Sequence, residues 1–158
     1  MPALLNSNFD RRGFTLVELV VVLAIMAIVA ALAVPRYANS LARYRADAAA
    51  RRIASDIELL QSRAYSSNAT HSAVFSVVSN SYLLAGIPDP DHPNLPYTVR
   101  LADPPYFAVL KSANFAGSNT LAFDAYGQPA SAGAVVISVG SEQRTISVEL
   151  SSGRSKVQ

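Results

Sequence analysis

The distribution of apolar residues divides the chain into three stretches. The first runs from Phe14 to Pro35, and only Thr15, Glu18 and Pro35 within it are not apolar. It contains no glycine and many β-branched residues. A helix of about 21 residues is about 32 Å long, which matches the hydrocarbon core of a bilayer. We therefore predict a membrane-spanning helix over residues 14–35.

The second stretch, residues 36–66, has the spacing of an amphipathic helix. Its start follows Pro35, where we predict a bend, because a proline inside a helix removes a hydrogen bond and clashes with the preceding turn. The apolar positions recur at steps of three and four with one step of five: Tyr37, Leu41, Tyr44, Ala48, Ile53, Ile57, Leu60 and Ala64. The arginines of this helix form either a solvated face or a surface for anionic headgroups or acidic neighbouring subunits.

The third stretch, residues 67–158, is typical of a β domain, because short apolar runs alternate with turn residues. The predicted strands cover residues 73–78, 81–85, 97–101, 106–111, 120–124, 134–139 and 144–150. Ser79 and Asn80 predict a hairpin, and the proline-rich segment 88–94 predicts a loop. Gly127 and Gly153 are predicted to be turn glycines. The pattern indicates an α+β fold in which the long helix packs on an antiparallel β domain.

The composition agrees with a membrane segment joined to an ordinary domain. Of the 158 residues, 51% are hydrophobic and 15% are charged, whereas a typical soluble domain has about 25% charged residues. This excludes a disordered chain and a transporter with many spans, and the absence of cysteine excludes a small disulfide scaffold. A net charge of +2 is no general nucleic-acid signature. The β domain is also poor in charge, which indicates that other subunits surround it.

Two interpretations of the apolar run follow from its flanks. Arg11 and Arg12 precede it, so the positive-inside rule keeps this end cytoplasmic. A cleaved secretory signal is the alternative, with Ala31–Ala33 as the cleavage site. The run is longer than the apolar part of a usual signal, which is about 7 to 15 residues. Glu18 also argues against a signal, because a charge in a membrane helix is costly.

The segment Gly13-Phe14-Thr15-Leu16-Val17-Glu18, followed by the apolar run, resembles the processing motif of type IV prepilins. The resemblance implies that residues 1–13 are a leader peptide and that prepilin peptidase cleaves between Gly13 and Phe14. The same enzyme would methylate the new N-terminus at Phe14. The run is then retained, first as an anchor in the bacterial inner membrane and later as the core of a filament.

Glu18 becomes the fifth residue of the mature chain, where this family keeps an acidic residue that acts in filament assembly. Cleavage creates an α-amino group on Phe14, and the carboxylate can compensate that charge within the chain or on a neighbouring subunit. A buried pair of opposite charges costs much less than either charge alone. The alternative is a capping box with Thr15, in which Glu18 satisfies a free N–H at the helix start.

Several C-terminal segments resemble the GspH/FimT family of minor pseudopilins and minor pilins. They are 121–129, 135–138, 144–148 and Gly153-Arg154, together with Gln61 to Asn68; residues 79–118 match no motif. The resemblance implies a type IV pilin-like fold and a structural subunit, a minor pseudopilin in the periplasmic pseudopilus of a type II secretion system. Its partners would be prepilin peptidase and other pilins or pseudopilins. Its localisation would be single-pass in the inner membrane, with a periplasmic C-terminal domain, and then in the filament.

The alternative function is that of a FimT-like minor pilin that binds DNA during uptake. Gly153-Arg154-Ser155-Lys156 resembles the basic Gly-Arg-x-Arg motif of such proteins, with lysine in the last place. Arg144 is predicted on an adjacent strand, so Arg144, Arg154 and Lys156 are the candidate phosphate-binding residues. An ordinary basic tail is the competing interpretation. The sequence alone leaves secretion system, pilus and competence system open.

No motif for catalysis or for a cofactor is present in the sequence. It lacks a nucleophile elbow, a phosphate-binding loop and a dinucleotide fingerprint. His71 is predicted to have a structural role at the start of a strand. Asp89, Asp91 and His92 offer too few oxygen ligands for calcium. We therefore expect a structural protein that is not an enzyme and needs no cofactor or metal.

Overall fold

The computed structural model of the protein describes residues 13–158, apart from the side chains at positions 32, 34 and 35. The predicted leader, except for Gly13, lies outside the described residues, as do Arg11 and Arg12. The chain forms two compact units that divide between Ala38 and Asn39. Every core residue of the described chain lies in the second unit. A fragment of residues 39–158 therefore carries its own complete core.

One long helix, α1 (Leu16–Ser67), covers both of the predicted helical stretches and confirms the predicted long N-terminal helix. Its start is capped by Thr15, whose Oγ1 accepts a hydrogen bond from the backbone N–H of Glu18 at 3.2 Å. It ends before Asn68, which has a positive φ of 50°. Helical backbone continues through Pro35, and the bend at that residue stays a prediction.

The eight strands form two four-stranded antiparallel sheets. They are β1 (His71–Ser76), β2 (Ser81–Pro88), β3 (Pro96–Arg100), β4 (Val109–Phe115), β5 (Thr120–Phe123), β6 (Gly133–Val139), β7 (Glu142–Val148) and β8 (Ser155–Val157). The first sheet has the order β3-β2-β1-β5, and the second has the order β4-β6-β7-β8. All described pairings are antiparallel. The predicted α+β fold, with a long helix and an antiparallel β domain, is confirmed.

The β1–β2 hairpin forms where the sequence predicts it. Ser76 pairs with Ser81, and Asn80 takes the positive φ of 48° that the tight turn needs. The fourth strand starts later than predicted, because Phe107 has a φ of 50° and donates a hydrogen bond back to Asp103 instead of extending a strand. The final strand β8 has only three residues, too few to show an alternating pattern.

The helix packs on the β domain through one face only. Its buried residues are Ala46, Ala49, Ala50, Ile53, Ile57, Leu60 and Ala64. The second half of the predicted stripe is therefore right, whereas the first half is wrong at Tyr44, which is 72% exposed, and its Leu41 and Ala48 are half-buried. The five-residue step between Ala48 and Ile53 explains the error, because five residues turn a helix by about 140° beyond one full turn. The residues predicted as one stripe therefore lie on two different faces of the helix, one before the five-residue step and one after it.

A buried carboxylate fixes the helix to the first sheet. Asp56 is 5% exposed and accepts hydrogen bonds from Tyr82 Oη at 2.5 Å and Tyr97 Oη at 3.0 Å. Arg52 Nε pairs with the same carboxylate at 3.0 Å, and its guanidinium also donates to the Tyr97 hydroxyl. Burial and the neighbouring Asp56 carboxylate raise the pKa of both tyrosines above the ordinary value. Both hydroxyls therefore stay protonated and donate to Asp56.

Candidate functional site

The predicted processing site lies in the non-helical segment directly before α1. Gly13, Phe14 and Thr15 precede the first helical residue, Leu16, and the Phe14 side chain is 78% exposed. A Cβ atom added at Gly13 would meet nothing within 4 Å. The segment that contains the bond between Gly13 and Phe14 is thus exposed, and glycine is not required at position 13 by the fold of the described residues.

Glu18 lies in the first turn of α1. Its hydrogen bond to Thr15 uses the backbone N–H and does not involve its carboxylate. The structure thus contains the threonine half of a capping box, which needs no acidic side chain at position 18. Capping by Thr15 and charge pairing by Glu18 use different atoms, so the two are compatible and the role of the Glu18 carboxylate stays a prediction.

The apolar half of α1 exposes its whole circumference. By length and composition it is able to cross a membrane, with a mean hydropathy of 2.9 over an 18-residue window that has 0% of its residues buried. Large apolar side chains are exposed on every side of it: Leu19, Val20, Val21, Val22, Leu23, Ile25, Met26, Ile28 and Val29. A helix that is apolar all round requires lipid or other helices as its surroundings.

Arg144 connects α1 to the second sheet. Its Nε donates to Asp47 Oδ1 at 2.6 Å, and its Nη1 lies 3.4 Å from Glu142 Oε2. The side chain is only 18% exposed. The hydrogen bond to the Asp47 carboxylate raises the pKa of Arg144. The arginine is thus already neutralised by two carboxylates of its own chain.

Lys156 lies on a different face of the second sheet from Arg144. In the β7–β8 ladder, Ser147 pairs with Lys156, and side chains two residues apart share a face of a strand. Arg144 belongs to the face of Ile146 and points to the helix, whereas Arg154 and Lys156 are exposed. The structure therefore does not bring the three candidate phosphate-binding residues together, and only Arg154 and Lys156 remain as a pair.

A glutamine of the helix joins two turns that are distant in the sequence. Gln61 Nε2 donates to the carbonyl of Gly127 at 2.8 Å and to that of Ser152 at 3.0 Å. Both predicted turn glycines are confirmed, with φ of 72° at Gly127 and 66° at Gly153. A Cβ at Gly153 would lie 2.6 Å from Gln61 Nε2. The sequence predicts the two glycines but not the role of Gln61. The one indication for Gln61 was that it lies in a segment that resembles the GspH/FimT family.

The two histidines and the acidic loop form hydrogen bonds within the described chain. His71 begins β1 as predicted, and its Nε2 lies 2.9 Å from Ser67 Oγ at the end of the helix. Asp89 Oδ1 accepts backbone N–H groups from Asp91 and His92 at 2.8 and 3.1 Å, which closes the loop locally. Among the residues described, no group of three or more potential ligands could hold a metal ion.

Comparisons with known proteins agree with this geometry. The family model of the prokaryotic N-terminal methylation motif matches residues 8–34, and that of the type II transport protein GspH matches residues 49–153. Two crystal structures of the type IV minor pilin FimU from Pseudomonas aeruginosa (strain PAO1) are similar in fold at 15% sequence identity. One covers 73% of this chain and 90% of FimU with a TM-score of 0.56; the other covers 71% and 91% with a TM-score of 0.52. No curated protein matches the sequence.

The long helix, the methylation motif and the two antiparallel sheets define a type IV pilin-like protein. More particularly, the chain belongs to the GspH family, whose model matches about two thirds of its length. This confirms the family indicated by the C-terminal segments.

Proposed function

We propose that the protein is a minor pseudopilin of a type II secretion system and that it is processed by prepilin peptidase. The observation that supports this proposal is that the predicted cleavage site and the exposed apolar half of α1 lie next to each other. The Gly13–Phe14 bond, in an exposed segment, directly precedes a helix whose apolar side chains are exposed all round. Cleavage at this bond leaves a helix that begins at the third residue of the mature chain and can move from lipid into a bundle of like helices.

The proposed sequence of events uses the two units separately. Arg11 and Arg12 hold the leader on the cytoplasmic side of the inner membrane, and residues 39–158 fold in the periplasm. After cleavage and methylation at Phe14, the helix leaves the membrane for the pseudopilus. The family description of a type II transport protein supports a role in a secretion system, and the fold similarity to the minor pilin FimU is equally compatible with a pilus. The protein acts as a structural subunit and carries out no reaction itself.

Replacing Gly13 by valine is expected to abolish processing, with cleavage reduced at least tenfold. The valine side chain would obstruct binding of the peptidase. It would not disturb the fold, because an added side chain at position 13 meets nothing in the described chain. Intact-mass measurement should give a wild-type chain that starts at Phe14 with one added methyl group. The matched control is Thr15→Ala, which changes a neighbouring residue but retains the glycine. A wild-type chain that starts at Val34 would instead support a cleaved secretory signal.

A second candidate function is DNA binding by a FimT-like minor pilin of a type IV pilus. The observation that favours it is that Arg154, directly before the edge strand β8, and Lys156, within that strand, are both exposed. Two cations can hold phosphates, and such binding weakens steeply as salt increases. Lysine at the last position lacks the planar fork of arginine.

In this second case, the variant Arg154→Ala/Lys156→Ala should lose at least tenfold in affinity for duplex DNA. The measurement is fluorescence anisotropy with the 39–158 fragment across a salt titration. Arg144→Ala is the matched control, because that arginine already pairs with Asp47 and Glu142. DNA affinity that is unchanged in the double variant would exclude this pair as the site.

A further inference from the structure

The turn between β1 and β2 carries two apolar side chains that contact little of their own domain. Val78 is 97% exposed, more than any other large apolar side chain that the structure describes, and Val77 is 45% exposed. Turns of this kind are usually formed by polar residues and glycine. Both valines are therefore available for apolar surroundings outside the domain.

A second loop, residues 101–108, lies beside this turn. Asn80 joins the two, because its backbone carbonyl accepts a hydrogen bond from the N–H of Leu101 at 2.8 Å and its Oδ1 accepts one from the N–H of Leu110 at 2.9 Å. The loop and the first residue of β4 add two apolar side chains that are 46% and 44% exposed. Four exposed apolar side chains thus lie at one end of the domain, and we call them the apolar tip: Val77, Val78, Phe107 and Val109.

Phe107 is held at the surface by its own loop. Its φ of 50° is rare for a bulky side chain, and the N–H of Ala108 closes the loop by donating to the carbonyl of Leu101 at 2.7 Å. The guanidinium of Arg45 lies over the Phe107 ring, 4.5 Å from its centroid. A ring beside a cation suits a membrane surface, where aromatic side chains occupy the headgroup level and arginine extends its charge into water.

Cations surround the apolar tip. Arg100 and Lys111 each lie one residue outside the two positions that bind Asn80, so both are at this end of the domain. Both side chains are exposed, and neither forms an ion pair with another residue that the structure describes. Together with Arg45 they give three positive charges, whereas Asp103 is the one acidic residue of the loop. This positive surface is complementary to anionic phospholipids.

The apolar tip lies at the end of the second unit where the chain enters it. The unit begins at Asn39, and Arg45, which contacts Phe107, follows six residues later. The tether from Pro35 to Arg45 has ten residues and spans at most about 36 Å. A tether this short keeps the local concentration of headgroups high once the apolar half of α1 is in the membrane.

We propose that the apolar tip docks on the surface of the membrane that anchors the chain, with anionic phospholipids as its ligand. Its side chains enter the boundary between headgroups and acyl chains, to a depth of about 5 to 10 Å. Arg45, Arg100 and Lys111 pair with lipid phosphates, which orients the β domain on the membrane. This docking rests on the proposed function, which supplies the anchor, and it holds the subunit at the membrane before assembly.

A fluorescent probe in the β1–β2 turn tests docking in the full-length chain, which contains no cysteine of its own. The variant Ser79→Cys is labelled with a fluorophore and reconstituted in vesicles of phosphatidylethanolamine and phosphatidylglycerol that carry nitroxide-labelled acyl chains. Ser151→Cys is the matched control, because Ser151 lies in a turn that Gln61 binds, about 24 Å farther along the helix than Arg45. Quenching should be at least threefold stronger at position 79. Equal quenching at both positions would overturn the proposal.

Replacing Val78 by aspartate should reduce quenching at position 79 at least threefold, because the carboxylate is repelled by the anionic surface and loses its water on insertion. The fold should be kept, since Val78 contacts little of its own domain. Leu150→Asp is the matched control, because Leu150 is an exposed apolar residue in the turn of the control probe. It should leave quenching at position 79 unchanged, and equal losses in the two variants would contradict insertion of the apolar tip.

Charge reversal by Arg100→Glu/Lys111→Glu should also reduce quenching at least threefold, as should phosphatidylcholine in place of phosphatidylglycerol. Arg154→Glu/Lys156→Glu makes the same change of charge at the opposite edge of the second sheet and is the matched control. Quenching that ignores the first pair, or that persists in phosphatidylcholine, would overturn the assignment to anionic lipid. No quenching in any vesicle, the result expected of an apolar tip that binds a protein partner, would overturn docking itself. If such a chain is still cleaved at Gly13 and anchored, this inference fails while the proposed function stands.

Discussion

Replacing Asp56 by alanine is expected to lower the free energy of unfolding of the 39–158 fragment by about 3 to 5 kcal/mol. That is the usual cost of removing one partner from a buried ion pair. The variant leaves the buried hydroxyl of Tyr82 without an acceptor and removes the carboxylate that pairs with Arg52. Domains of this size are stable by about 5 to 15 kcal/mol, so this single change would remove a large part of the total.

Asp47→Ala is the matched control for this experiment. It removes a carboxylate from the same helix, so the gain in helix propensity is the same in both variants. The Asp47 side chain is 43% exposed, and its partner Arg144 keeps Glu142 as a second carboxylate, so the expected loss is about 1 kcal/mol, the upper end for exposed pairs. Urea unfolding followed by circular dichroism gives both values. Should Asp56→Ala fail to fold, Tyr82→Phe removes only one hydroxyl and should cost about 1 to 2 kcal/mol. Equal effects of the two aspartate variants would contradict the proposed importance of burial.

The Asp56 cluster also shows where prediction from the sequence stopped. The helix, the hairpin at Asn80 and the turn glycines follow from local patterns, and the structure confirms them. That Asp56 meets Tyr82 and Tyr97 depends on how the helix lies on the first sheet, and no local pattern records that packing. The same holds for Gln61, which joins two turns that are far apart in the sequence.

The residues of the candidate site also differ in how far the sequence predicts their arrangement. Gly13, Phe14 and Glu18 form a contiguous motif, so their proximity follows from the chain itself. The grouping of Arg144 with Arg154 and Lys156 required a strand register and a choice of face. The predicted adjacency of strands was right, since β7 pairs with β8. The sequence does not specify the face of the sheet on which each side chain lies. The Arg144 side chain points to Asp47 on the helix and not toward Lys156.

The error in the predicted helix stripe has a functional meaning. Tyr44 was grouped with the core because it continues a spacing of three and four, and that spacing is real. It belongs to a second face of the helix, about 180° from the core residue Ile53. A helix with two ordered faces is suited to a subunit that packs on its own β domain on one side and on other helices on the other side.

Replacing Glu18 by alanine is expected to leave processing intact and to reduce incorporation into filaments at least tenfold. In the proposed bundle, the amino group of Phe14 enters apolar surroundings, and without a carboxylate it stays uncompensated. An unpaired buried charge costs several kcal/mol, and about 1.4 kcal/mol already corresponds to a factor of ten in an equilibrium constant. The measurement is the amount of the subunit in sheared filaments relative to that in membranes, with the N-terminus verified by mass.

Thr15→Ala separates this effect from a loss of helix capping. The Thr15 hydroxyl caps the helix through the backbone N–H of Glu18, so Glu18→Ala leaves that cap in place. Loss of an N-cap costs about 1 kcal/mol at one helix end, and Thr15→Ala should therefore still enter filaments at more than half of the wild-type level. If both variants were equally impaired, capping would be the role of the motif. If Glu18→Ala entered filaments normally, the charge pair would have no part in assembly.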